Sequence, residues 1–229
     1  MTTSGRPNLA HVWDRHWRDL SSRGAVFGRL VSAFRKVFLV SAVRHHTDRF
    51  FPPEGIFVET GCGTSESSVG IRRQGRRLVG VDFSLAALHL ALQRRTFDHL
   101  VCADIRHLPL RDGSIDGIWN LGVMEHFEAS DGLKILIEFE RILRADGTAV
   151  LFWPPTFGLS RWILAPFEWL RSRLSRREFR FFPDEVNRLR SRQQAWQSLR
   201  AADLEPLEVK FSARAAFCHL VVVARRRPG

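Results

Sequence analysis

The sequence predicts a doubly wound α/β fold: a seven-stranded, mostly parallel sheet with helices on both faces, closed by an antiparallel strand pair. Three observations carry this expectation. From residue 55 onward, short apolar runs alternate with helical patterns at the spacing of βαβ units, which requires parallel strands. After residue 203, two strand-like runs follow each other with no helix between them, as an antiparallel pair does. Finally, a chain of 229 residues with 45% hydrophobic and 26% charged content is long enough for one sizeable core and too apolar to be disordered.

The elements follow in order. Leu9, Val12, Trp13, His16, Trp17 and Leu20 recur on one face of a helix that Asn8 is placed to cap. A second helical pattern runs from about Ala25 to Phe50 and stops before Pro52 and Pro53. GIFVET (55–60) is the first strand, SESSVGIRRQ (65–74) a short helix closed by Gly75, and RLVGVD (77–82) the second strand. Ser84 caps the helix LAALHLALQRR, and HLVCAD is the third strand. Asp112 and Gly113 turn into the fourth strand, IDGIWNLG. A helix over Asp131 to Leu143 stops at Asp146 and Gly147 before the fifth strand, TAVLFW. Beyond Trp153 prolines, aromatics and arginines mix without a strand pattern. A helix from about Glu185 to Ala201 precedes LEPLEVKFSA and FCHLVVVARR, the closing pair.

Charge is distributed unevenly. Residues 1–50 carry nine basic and three acidic groups, 51–153 eleven and fourteen, and 154–229 fifteen and seven. The middle is therefore −3 and the flanks together +14. The start, MTTSGRPNLAHVWDRH, has no apolar signal core, and arginines and a lysine interrupt the most apolar early stretch, so neither secretion nor a membrane span is indicated. Cys62, Cys102 and Cys218 lie far apart, which fits a reduced, cytoplasmic setting and offers no metal-ligand spacing.

The chemistry gathers at strand ends. VETGCGTSESS (58–68) places Gly61 and Gly63 just past a buried strand, where the chain turns sharply and a ligand can touch main-chain amides. In open α/β sheets the ligand crevice lies beyond the carboxyl ends of the strands. Asp82 ends the second strand nineteen positions after Gly63, where a carboxylate can accept two hydrogen bonds from a ribose diol. Asp104 follows the third strand and Asn120 ends the fourth. A dinucleotide fingerprint would need glycine at 66; Glu66 stands there instead, a poor neighbour for a pyrophosphate.

The stretches VETGCGT, LVGVDFS, CADIRHLPLRDGSIDGIWNLGVMEHF and FERILRADGTAVLFWPP, in that order, make the chain resemble the class I S-adenosylmethionine-dependent methyltransferases, within them the broad type 11 group that includes quinone-ring methyltransferases. The resemblance covers about residues 56–155 and implies a Rossmann-like sheet. The length predicts a single domain over 1–229, with N-terminal helices (1–51), a cofactor-binding core (52–153), a cap and helix (154–200) and closing strands (201–229). Carried over residue by residue, the resemblance implies that Glu59, Gly61, Cys62 and Gly63 hold the methionine portion of S-adenosylmethionine and that Asp82 binds the ribose hydroxyls. Phe83 would pack on the adenine, Asp104 would meet its amino group, the Ile105 amide would reach the ring, and Asn120 with Leu121 would complete the amino-acid end. The third glycine common in such loops is Ser65 here, a residue that suits a helix start.

Methyl transfer from a sulfonium is an in-line displacement in which alignment supplies much of the acceleration. His126, in GVMEHF, stands where related enzymes face the methyl group and is the candidate base, although a packing role explains its position equally well. Trp13, with His16 and Trp17, is placed to roof the cofactor or to pack on the core. Segment 159–180 combines an apolar face with Arg161, Arg171, Arg173, Arg176, Arg177 and Arg180. It suits an interfacial element on an anionic membrane, a pocket for a phosphorylated or carboxylated acceptor, or a core-packed cap with a basic rim. The leading expectation is a methyltransferase for a small amphiphilic or anionic acceptor, such as a quinone precursor or a lipid-linked molecule. Nucleic-acid methylation is the alternative prompted by the basic flanks, disfavoured because no amino-methylating tetrapeptide follows the fourth strand. A non-catalytic partner subunit is the third reading.

Overall fold

The structure is a computed structural model that describes residues 9–22, 39–66, 68–156, 173, 185–215 and 218–228. Its elements are α1 (Leu9–Ser22), α2 (Val40–Phe50), β1 (Gly55–Thr60), β2 (Arg76–Asp82), α3 (Leu85–Arg94), β3 (His99–Cys102), β4 (Ile115–Leu121), α4 (Ala129–Ile142), β5 (Leu143–Trp153), α5 (Arg192–Ala201), β6 (Leu204–Phe211) and β7 (Leu220–Arg226). Single 3-10 turns lie at Met124–His126 and Ala213–Ala215. The first part of the helix expected over 25–50, and nearly all of segment 159–180, lie outside the described residues.

Seven strands form one sheet in the order β3-β2-β1-β4-β5-β7-β6. All pairs among β1 to β5 are parallel, whereas β7 runs antiparallel to both β5 and β6. This is the doubly wound architecture with a closing antiparallel pair that the strand–helix alternation predicts. Strand alternation then sorts the core into two layers. Val58, Ile118, Leu151 and Val222 face α4 and α5, whose Ile135, Leu136, Phe139 and Leu199 are fully or almost fully buried against them. Phe57, Trp119, Val150, Phe152 and Val221 face the opposite side with Ala42 and Val43 of α2. Burying a side chain of this size contributes about 1.5–3 kcal/mol, so both faces are strongly held and their strand ends are fixed in register.

The strand order reverses between β1 and β4, so the carboxyl ends of these two neighbours open the crevice that such sheets use for ligands. The backbone ties this edge together. The Gly61 and Cys62 amides donate to the Val81 carbonyl at 2.8 and 3.0 Å, the Ala103 amide to the Asp82 carbonyl at 3.1 Å, and the Gly122 amide to the Phe152 carbonyl at 3.1 Å.

Two expected helices are corrected. Residues 65–74 form successive turns rather than a helix among the described positions. Ser65, Ser68 and Gly70 are weak helix formers, and Ser68 instead donates its hydroxyl to Glu59. Ser65 therefore does not start a helix. It takes φ +59°, the left-handed region that favours glycine, and its buried hydroxyl finds no partner among the described residues. Left-handed backbone costs a non-glycine residue about 1–2 kcal/mol, partly offset by the chain entropy that glycine adds to the unfolded state. Ser65→Gly is expected to stabilise the protein by up to about 1 kcal/mol, a rise of a few degrees in melting temperature by calorimetry. The second correction concerns residues 185–190, which are extended rather than helical. Leu189 bridges to Pro155, and α5 begins only after Ser191, whose hydroxyl accepts from the Gln194 amide at 3.1 Å.

Candidate functional site

Asp82 is the hinge of the site. One carboxylate oxygen accepts from the Gly63 amide at 2.8 Å and the other from the Ser84 amide at 2.9 Å, which joins the glycine loop after β1 to the loop after β2. Burial pushes its carboxyl up to about 6, against the pull of these two amides, and Asp14 adds to the rise. Glu59, on β1, is 1% exposed and receives the Ser68 hydroxyl, so it lies beneath the loop rather than at an open rim. Cys62 is buried beside these acids. Burial, then Asp82 and Glu59, push its thiol well up, and it stays protonated.

The glycines permit close approach. Gly61 and Gly63 take φ +70° and +50°, and a Cβ on Gly63 would stand 2.9 Å from the Trp17 ring. A Cβ on Gly61 would stand 2.6 Å from Val123. Helix α1 thus lies over the glycine loop. Asp14 holds it there by accepting the Ser84 hydroxyl and, at 3.4 Å, the Ala86 amide. Trp13 reaches the other side of the crevice, its ring centroid 4.9 Å from that of His126.

Asp104 is differently engaged from what the resemblance implies. Both its oxygens accept from the Arg106 guanidinium, at 2.6–3.1 Å, and one also from the Arg106 amide. Arg106 also binds Asp131 of α4 at 2.7 Å. These contacts pull the Asp104 carboxyl below its usual range despite partial burial. An adenine amino group meets this carboxylate only by sharing it with Arg106. Ile105 buries its side chain in the core beneath, while Phe83 and Leu121 remain half-buried at the edge. Asn120 is fully buried, and neither atom of its amide finds a partner among the described residues.

Around His126 the chain places a group that the sequence reading passes over. Glu125, the preceding residue, is 3% exposed, with one carboxyl oxygen 3.9 Å from His126 Nε2 and the other without a partner among the described residues. Its backbone carbonyl accepts from the Val186 and Asn187 amides at 2.7 and 2.9 Å, which brings Glu185 and Arg188 near both side chains. Burial raises Glu125 to about 8, Glu185 adding to the rise, and burial lowers His126 to about 4. Between those limits both are uncharged. His126 is thus a much weaker base than an exposed imidazole. The available signal for Glu125 was Gly122, whose φ of +67° lets Glu125 fold back to within 3.2 Å of its Cβ position.

Residues 58–151 match the family described as Methyltransferase domain. The strand order and glycine loop agree with it. Residues 58–151 thus carry a methyltransferase domain of the class I S-adenosylmethionine-dependent kind. The chain resembles malonyl-[acyl-carrier protein] O-methyltransferase from Yersinia pestis, 34% identical over 93 residues, covering 40% of this chain and 34% of that protein. The chain spans about a third of the length of several curated relatives that it matches. In fold it is similar to a methyltransferase from Thermotoga maritima (TM-score 0.68, 18% identity, covering 96% of this chain and 100% of that one). It is also similar to the 1,6-didemethyltoxoflavin-N1-methyltransferase of Burkholderia thailandensis, solved with S-adenosylhomocysteine (TM-score 0.62, 17% identity, covering 98% and 93%). The family's cofactor is S-adenosylmethionine. Two features of the crevice fit such a group: the Asp82 carboxyl beside the glycine loop, and the buried Asn120 amide at the end of β4, neither atom of which has a partner among the described residues.

Among the described residues no helix is long and apolar enough to cross a membrane.

Proposed function

We propose that this chain binds S-adenosylmethionine at the carboxyl edge of β1, β2 and β4 and methylates a small acceptor that arrives already carrying its own negative charge. In this reading Glu59, Gly61, Cys62 and Gly63 flank the amino-acid end, Asp82 the ribose, and Phe83, Asp104 and Ile105 the adenine, with Asn120 and Leu121 closing the crevice. The bound cofactor supplies a methyl group on a positively charged sulfur.

The observation that carries the acceptor class is the uncharged pair at the end of β4. His126 at about 4 and Glu125 at about 8 leave no strong base and no charge on either side chain at neutral pH. A neutral hydroxyl or amine that must lose a proton is poorly served there. A carboxylate needs no base and meets no repulsion from protonated Glu125. His126 then orients the acceptor and helps exclude water rather than removing a proton. The O-methyltransferase name of the Yersinia relative is in accord with an oxygen acceptor. An amphiphilic acceptor is accommodated by the same reading.

The experiment is to incubate the protein with methyl-labelled cofactor and fractionated cell extract, then treat the labelled product with mild alkali. Release of volatile label, as a methyl ester gives on hydrolysis, is expected. Label retained in an alkali-stable product, or carried by nucleic acid, refutes the carboxylate reading.

A further inference from the structure

The helix that precedes the matched domain presents an aromatic face that belongs to neither core. Trp17 is buried, yet among the described residues it joins neither hydrophobic cluster, and Trp13 packs against neither. Their neighbours are polar, ligand-facing elements. Trp17 covers Gly63, and Trp13 meets His126 edge-on at 83°. The two indoles lie 5.9 Å apart at 29°, with His16 between them at 5.3 and 5.2 Å. The Asp14 anchor on Ser84 and Ala86 fixes this face between the glycine loop, the loop after Asp82 and the turn after β4. A helix that served only the core would turn its tryptophans to the sheet.

Aromatic faces carry negative potential and hold cations in desolvated sites. Asp82 holds the Gly63 amide under Trp17, and Asp14 sits on the same helix, so the cofactor end of this face favours a positive group, apart from the acceptor side at Glu125 and His126. The reaction changes the charge there. When the methyl group passes to the acceptor, the sulfur–carbon bond breaks with its electron pair remaining on sulfur, and a sulfonium cation becomes a neutral thioether.

We propose that Trp13 and Trp17, together with His126, form an aromatic wall that holds the sulfonium of the cofactor and loses its grip on the thioether product. The inference rests on the cofactor reading above and adds a charge-selective subsite to it. The wall makes the protein prefer S-adenosylmethionine to S-adenosylhomocysteine, and so favours release of spent cofactor.

Titration calorimetry of the wild type, Trp13→Leu, Trp17→Leu and Trp13→Phe with both ligands tests this. Each leucine variant is expected to lose about five- to thirtyfold in affinity for S-adenosylmethionine while binding S-adenosylhomocysteine within about twofold of wild type. Trp13→Phe is expected to keep most of the preference. Retained thioether binding also reports that each variant is folded, and the Trp13 pair gives the answer should Trp17→Leu not fold. Equal losses for both ligands, or no loss for either, overturns the wall. Failure of the wild type to bind either ligand refutes the cofactor reading itself, a different result from an unchanged ratio.

Discussion

Replacing Asp82 with alanine is expected to remove cofactor binding almost completely. A carboxylate that accepts two ribose hydroxyls gains about 1.5–3 kcal/mol from each, so its loss corresponds to roughly two to four orders of magnitude in affinity. Two backbone anchors go with it, because the Gly63 and Ser84 amides both end on this side chain. Asp82→Asn preserves the shape and one acceptor oxygen and is expected to fall between the two. Calorimetric titration reads the effect directly. Near-normal affinity in Asp82→Ala would mean that the nucleoside does not lie across the end of β2, and the cofactor geometry proposed above would fail with it.

Glu125→Gln is expected to change how stability depends on pH. The folded carboxyl titrates near 8, above its ordinary value of 4.5, so between these values the native state binds more protons than the unfolded chain. Stability from this group is therefore complete below about pH 4.5 and declines as pH rises through about 8. A tenfold difference in proton affinity corresponds to about 1.4 kcal/mol, so the decline amounts to a few kcal/mol on the order-of-magnitude scale. Glutamine mimics the neutral acid without titrating, and the variant is expected to be more stable than wild type at pH 8 and close to it at pH 5. Melting temperature followed from pH 5 to 8.5 measures this. Parallel curves for the two proteins would show that Glu125 is ionised and paired in the fold.

The strands were legible because each is a short apolar run closed by turn residues, and their ends carried the polar residues of the site. Asp82 stood out by its distance from the glycine loop, and the structure joins the two by a hydrogen bond. Residues 65–74 misled because Ser65 occupies a glycine-like conformation that periodicity cannot register. The extended path of residues 185–190 was hidden for a related reason. It is set by amides that reach the Glu125 carbonyl about sixty positions earlier, a partner that no local pattern reveals. Arg106 reads as one more basic residue until the fold turns it back onto Asp104, and Glu125 reads as a surface acid until the turn at Gly122 buries it. In each case the decisive partner lies far away in the chain or depends on a backbone angle, whereas composition reports only residue types. The role of α1 stood open in the sequence between roofing the crevice and packing the core, since helical spacing is the same for both.

The position of β7 bears on biosynthesis. This strand lies between β5 and β6 and hydrogen-bonds to both, although all of β1 to β6 precede it in the chain. During translation the glycine loop and the loop after β2 leave the ribosome well before the segment that shields one flank of β5. Until that segment arrives, β5 is an open edge, able to pair with the wrong chain. Quality of folding in the cell is therefore governed at the side of the sheet away from the glycine loop, and lesions in β7 should surface as aggregation of newly made protein before they surface as weak binding.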